Sequence, residues 1–118
     1  MTYILRHAGW PCFIDDVPPE LRKDEGCFLV SYFDTKDGYG DIKFSRDVRE
    51  AMQFATAGEA LTFWKTQSRN VPFRPDGRPN RPMTAFNGEI LSMADAITFQ
   101  FQSLWNRVGV DWLSDRLH

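Results

Sequence analysis

The sequence predicts a small α+β domain: a mostly antiparallel sheet packed against one or two helices. Three observations predict it. Short β-prone runs, best seen in Cys27 to Phe33, alternate with turn residues. An Asp37-Gly38 step separates that run from a second one at Asp41 to Phe44, the signature of a hairpin. Two segments carry helix-start signals followed by apolar residues at helical spacing, Thr56 to Gln67 and Ser92 onward. The 118 residues suit one domain, 1–118, with a sheet, a central helix and an unusual loop in 26–91 and a helical segment in 92–118. At this size roughly two-thirds of the unfolded surface is buried on folding, enough for a core without staples.

Each element has a local reason. Thr2 to Leu5 is a short β-prone run, expected at a sheet edge. Gly9 to Pro19 holds three of the seven prolines and is irregular. Residues 15–25 carry Asp15, Asp16, Glu20, Asp24 and Glu25 against Arg22 and Lys23, an acidic stretch. In Cys27 to Phe33 only Ser31 interrupts the apolar residues. Ser45 is placed to cap a short helix over Arg46 to Met52. Thr56 and Glu59 form a capping-box pattern, with Ala57, Ala60, Leu61 and Trp64 on one helix face and Phe63 widening it. Burial of Trp64 alone contributes about 2–3 kcal/mol.

Arg69 to Pro82 breaks the pattern. Pro72, Pro75, Pro79 and Pro82 remove four amide donors, which excludes a helix or a central strand. The residue before each proline is driven toward extended backbone, and Asp76-Gly77 marks a bend. Two stiff arms joined by a turn are expected, carrying Arg69, Arg74, Arg78 and Arg81 against Asp76. Thr84 to Leu91 alternates as a returning strand. Ser92 and Asp95 then open a helix with Ile97, Phe101, Leu104, Trp105 and Val108 at helical spacing, ended by Gly109. Val110 to His118 presents Trp112, Leu113 and Leu117.

Much chemistry lacks a signature. Apolar runs fall short of the ~18 residues of a membrane span, and Met1 to Trp10 has no signal-peptide core, so the expectation is a cytoplasmic protein. Cys12 and Cys27 do not make a disulfide framework. His7, Cys12 and Cys27 lack the paired spacing of a zinc site. Asp34, Asp37 and Asp41 around Gly38 and Gly40 read as a turn, because Lys36 and Tyr39 break the alternation of a calcium loop. Phosphate-loop and nucleophile-elbow motifs are missing, and an enzymatic site would have to use His7 with Cys12 or Asp15. No cofactor, no metal and no catalytic residue is expected.

Several pieces of the chain resemble small proteins encoded by phages, prophages and bacterial mobile elements. They are Ser31-Tyr32-Phe33-Asp34, Gly38-Tyr39-Gly40-Asp41, Phe44-Ser45-Arg46-Asp47, Ala51 to Thr56, Glu59 to Lys65 and, most specifically, Arg74-Pro75-Asp76-Gly77-Arg78-Pro79-Asn80-Arg81-Pro82 with Met83 to Phe86. The resemblance spans nearly half of the chain and implies no activity and no catalytic residue. For a chain that acts by binding, a phage context makes the expected partner a host or phage protein complex in the bacterial host, such as a defence machine being inhibited (anti-CRISPR type).

Composition carries the expectation of a non-enzymatic protein-binding module, because Trp and Arg dominate interface hot spots. The candidate contact residues are Arg74, Arg78 and Arg81 with Trp105 and Trp112, and a second, acidic face from Asp15, Asp16, Asp24 and Glu25. Trp10 is a further candidate. The alternative partner is nucleic acid, with the four loop arginines on phosphates and Phe73 or Phe86 stacking on bases. Four phosphate contacts give a log–log salt slope of only about -3 to -4, and the net charge of -2 opposes a polyanion. A structural role for these arginines, with guanidinium groups bonding neighbouring carbonyls and Asp76, competes with both. Arg69, Pro72 and Pro75 also outline a proline-groove ligand.

Overall fold

The computed structural model describes residues 2–10 and 22–102. A four-stranded antiparallel sheet is built from β1 (Tyr3–His7), β2 (Phe28–Phe33), β3 (Asp41–Ser45) and β4 (Gly88–Ser92), in the order β3-β2-β1-β4. Two helices pack against it: α1 (Ala57–Trp64) and α2, over 93–102. The α+β expectation holds. One detail is corrected: β1 is interior, paired with β2 on one side and β4 on the other, and not at the edge. Its residues Ile4 and Leu5 are both buried, one toward each face, which suits an interior strand.

The sheet is covered on both sides. Leu5, Leu29, Phe54, Ala60, Trp64, Met83 and Phe86 fill one core, beneath α1. Ile4, Phe28, Val48, Ala51 and Ala96 fill the other, beneath α2. The register of β2 against β3 shifts between Leu29 and Ser31. Such a bulge adds one residue to the alternation, so Leu29 and Tyr32, three apart, both pack toward the first core.

The capping box at α1 is present. Thr56 Oγ1 accepts from Glu59 N at 3.1 Å, and Glu59 Oε2 reaches back to Ala55 N at 3.2 Å. The helix ends at Trp64, earlier than its sequence suggests. Thr66 turns both its amide (3.0 Å) and its hydroxyl (2.6 Å) onto the Phe63 carbonyl, closing the last turn locally. Only Ala60 and Trp64 are fully buried; Ala57 and Leu61 are exposed and Phe63 is half-buried. The buried stripe is therefore narrower than the spacing implied, because α1 meets β1 and β4 where the bare backbone of Gly88 lets Trp64 lie flat against it.

Three other expectations are corrected. Val48–Glu50 is a 3-10 turn, capped not by Ser45 but by Asp47, which accepts from Arg49 N at 2.9 Å. Thr84 to Phe86 is not strand: Pro82 opens a 3-10 turn over Pro82–Ala85, and Thr84 N bonds to Arg81 O at 3.0 Å. That turn buries Met83. In α2, Ser92 Oγ accepts from Asp95 N at 3.1 Å as expected. The helix sits on the sheet through Ala96, through Gln100 Oε1 accepting from Val48 N at 2.7 Å, and through Phe99 beneath Arg6 at 4.2 Å. Its expected apolar face turns outward, with Ile97 and Phe101 exposed; Leu104, Trp105 and Val108 lie outside the described residues. Among the described residues no helix is long and apolar enough to cross a membrane.

Candidate interaction surface

The segment from Ser68 to Pro82 is a small proline-stiffened hairpin. Arg74 N donates to Arg78 O at 2.8 Å and Gly77 N to Arg74 O at 2.9 Å, closing a turn with Pro75 second and Gly77 fourth. Gly77 has φ +86°, the left-handed conformation that favours glycine there. Phe73 faces Pro79 in an isolated bridge, and Asn80 N donates to Pro72 O at 2.9 Å. Two arms and a bend at Asp76-Gly77 are as expected. A proline-groove ligand is not, since Pro72 and Pro75 lie within a folded-back hairpin rather than an extended ligand.

A polar lock fixes this hairpin to the β2–β3 turn. Asp34 Oδ1 accepts from the Ser68 hydroxyl at 2.7 Å, and its Oδ2 from Arg69 N at 2.7 Å, Asn70 N at 2.9 Å and Asn70 Nδ2 at 3.1 Å. The Ser68 hydroxyl, followed by the Asn70, Arg69 and Thr35 amides, holds the Asp34 carboxyl below the usual carboxylate range. Ser68 is itself buried, and its amide donates to Asn80 O at 2.8 Å. Asn80 Nδ2 donates to Gly38 O at 2.8 Å and Val71 O at 2.9 Å. Gly38 has φ +80°, and a Cβ there would lie 2.6 Å from Val71 Cβ, so only glycine allows the two turns to approach this closely. At its far end the hairpin is anchored by buried Pro82 and Met83.

What the lock displays is aromatic and cationic. Phe73 is 58% exposed and Tyr39 79%. Arg69, Arg74, Arg78 and Arg81 are all exposed. Arg78 approaches Asp76 at 3.9 Å, a wide pair between two exposed side chains. The guanidinium groups of Arg69, Arg74 and Arg81 have no hydrogen bond or ion pair among the described residues. A purely structural role in bonding neighbouring carbonyls is therefore limited to the backbone of these residues, not their charges.

The other candidates fall elsewhere. Asp24 and Glu25 lie in the turn before β2, at the opposite end of that strand from the arginine hairpin. Asp15, Asp16, Trp105 and Trp112 lie outside the described residues. Phe86 is not a stacking platform for a base: it is buried and stacks face to face on His7, ring centroids 4.2 Å apart. His7 is buried as well, with edge contacts to Trp10 and Phe44 and its Nδ1 accepting from Gly9 N at 3.0 Å. Burial lowers its pKa against the pull of Glu25 and Asp24. That is the position of a core histidine; its proposed companions Cys12 and Asp15 lie outside the described residues. Cys27 is a buried free thiol whose pKa burial pushes up. Among the described residues no cluster of His, Cys, Asp or Glu is arranged to hold a metal ion.

The sequence pattern places Asp34 in a turn and Asn80 in the arginine-proline loop, and gives Ser68 no role. The lock joins residues more than thirty positions apart, which no local pattern announces. Comparison of the chain with protein-family models, curated proteins and solved structures gives no match.

Proposed function

We propose that this chain is a protein-binding module without chemistry of its own, encoded by a phage or mobile element and acting on a host macromolecular complex as a modulator or inhibitor. The observation that carries the reading is the locked hairpin, which displays exposed Phe73 and the guanidinium groups of Arg69, Arg74 and Arg81, unpaired among the described residues. A loop that already holds its backbone loses little conformational entropy on binding. Arginine and aromatic side chains on such a support are the composition of interface hot spots. A Phe 58% exposed on the same hairpin as these guanidinium groups contributes little to the core, and apolar contact outside the fold is the use left for it.

The experiment is site-specific photocrosslinking in host cells. A benzoylphenylalanine at position 73 is expected to give a discrete protein adduct that excess unlabelled chain competes away. The same probe at Leu61, exposed on α1, serves as the control surface. Equal, non-competed labelling from positions 73 and 61 refutes the hairpin as the contact surface.

A further inference from the structure

We infer that the partner meets the hairpin with an acidic protein surface, and that the arginine side chains read it while the hairpin backbone does not. This rests on the binding-module reading above and specifies the partner's chemistry.

Strand-type backbone recognition is disfavoured by the hairpin itself. Strand addition needs a row of free amides along an edge. Pro72, Pro75, Pro79 and Pro82 have none. The amides of Arg74, Gly77 and Asn80 are donated within the hairpin, and that of Arg78 to Asp76 Oδ1 at 3.0 Å. Those of Arg69 and Asn70 go to Asp34. The amides of Phe73, Asp76 and Arg81 are left without a partner among the described residues, three isolated donors rather than a row, so recognition falls to side chains, and the charged ones from Arg69 to Pro82 are four arginines and one aspartate.

The guanidinium fork matches a carboxylate with two parallel hydrogen bonds, a fit that a lysine ammonium does not reproduce. Phosphate shares that geometry, so the polymer behind the anion decides the class. A nucleic acid runs on past the hairpin as a continuous polyanion, along a chain of net charge -2. The neighbouring β2–β3 turn and β3 expose Asp37 and Asp41 together with Lys36 and Lys43, and so add no net positive charge along which it could continue. A folded protein presents its carboxylates to the hairpin alone, and an apolar spot on it meets Phe73.

The test uses the full chain and two labelled probes in fluorescence anisotropy: a peptide of alternating Asp and Glu, and an oligothymidine of equal charge. The peptide is expected to bind saturably and more tightly than the oligothymidine. Arg74→Ser with Arg81→Ser is expected to weaken peptide binding about tenfold, and Arg74→Lys with Arg81→Lys to weaken it several-fold although the charge is kept. Both pairs are exposed, and an unchanged melting temperature confirms that each variant is folded. Three results overturn the inference: no peptide binding, peptide binding indifferent to the serine pair, or tighter binding of the oligothymidine. If position 73 still crosslinks a competed protein while the peptide fails to bind, the acidic-surface inference falls and the binding-module reading stands. If both fail, both fall.

Discussion

The Ser68 hydroxyl donates to the Asp34 carboxylate at 2.7 Å across 34 residues of sequence, and this contact ties the arginine hairpin to the sheet. The same carboxylate takes the amides of Arg69 and Asn70, so one side chain sets the direction in which the hairpin leaves α1.

Asp34→Ala is expected to loosen the hairpin before it unfolds the sheet. Tryptic cleavage after Arg69, the one arginine of the hairpin not followed by proline, should accelerate by about tenfold, while the core unfolds as a separate, later event. Mass spectrometry of the early fragments checks the order. Because the folded Asp34 carboxyl titrates below its unfolded value, its contribution is complete above the unfolded range, near pH ~3.9, and is lost as the pH falls through the folded pKa. Asp34→Asn is expected to remove that part of the acid sensitivity, leaving the similar contributions of Asp37 and Asp47.

Gly88 is the second position on which the architecture turns. A Cβ there would lie 2.5 Å from Cε2 of Trp64. Gly88→Ala is expected to destabilise the protein by about 1–3 kcal/mol, because a well-packed indole has to move. Gly58→Ala, in the exposed first turn of α1 where the nearest atom is 3.8 Å from the added Cβ, is expected to be neutral or to stabilise by up to about 1 kcal/mol. Urea unfolding of the two variants, followed by far-UV circular dichroism, separates them.

Tyr32 carries a buried hydroxyl with no hydrogen-bond partner among the described residues, its ring edge-on to Phe63 at 6.4 Å. Tyr32→Phe keeps the ring and removes the unsatisfied group. A gain of about 1 kcal/mol in unfolding free energy is expected, and a loss of that size would mean that the hydroxyl holds a contact of its own.

The local features of this fold were legible because their causes are local. Thr56 and Glu59 cap α1 across three residues, Asp37-Gly38 turns β2 into β3, and four prolines rule out helix over the hairpin; each acts within a few positions. What sequence pattern misread depended on partners far along the chain. Ile97 and Phe101 have helical spacing, yet α2 seats itself through Ala96 and Gln100, since β1 and β2 leave room for a small side chain and Val48 N needs an acceptor. β1 looked like an edge because nothing in Tyr3–His7 announces that β4, more than eighty residues later, pairs with it. The hairpin's composition was visible, but its lock was not, because Asp34, Ser68 and Asn80 are ordinary turn residues until the fold brings them together.

The central claim is that the arginine hairpin is built and held before any partner arrives. Amide hydrogen exchange in the free chain tests it most directly. The amides of Arg74 and Asn80, bonded to Arg78 O and Pro72 O, and that of Asn70, bonded to Asp34, are expected to be protected well above unfolded-chain rates, with Asn70 losing its protection in Asp34→Ala. Exchange of all three at unfolded-chain rates in the unaltered protein would contradict the account.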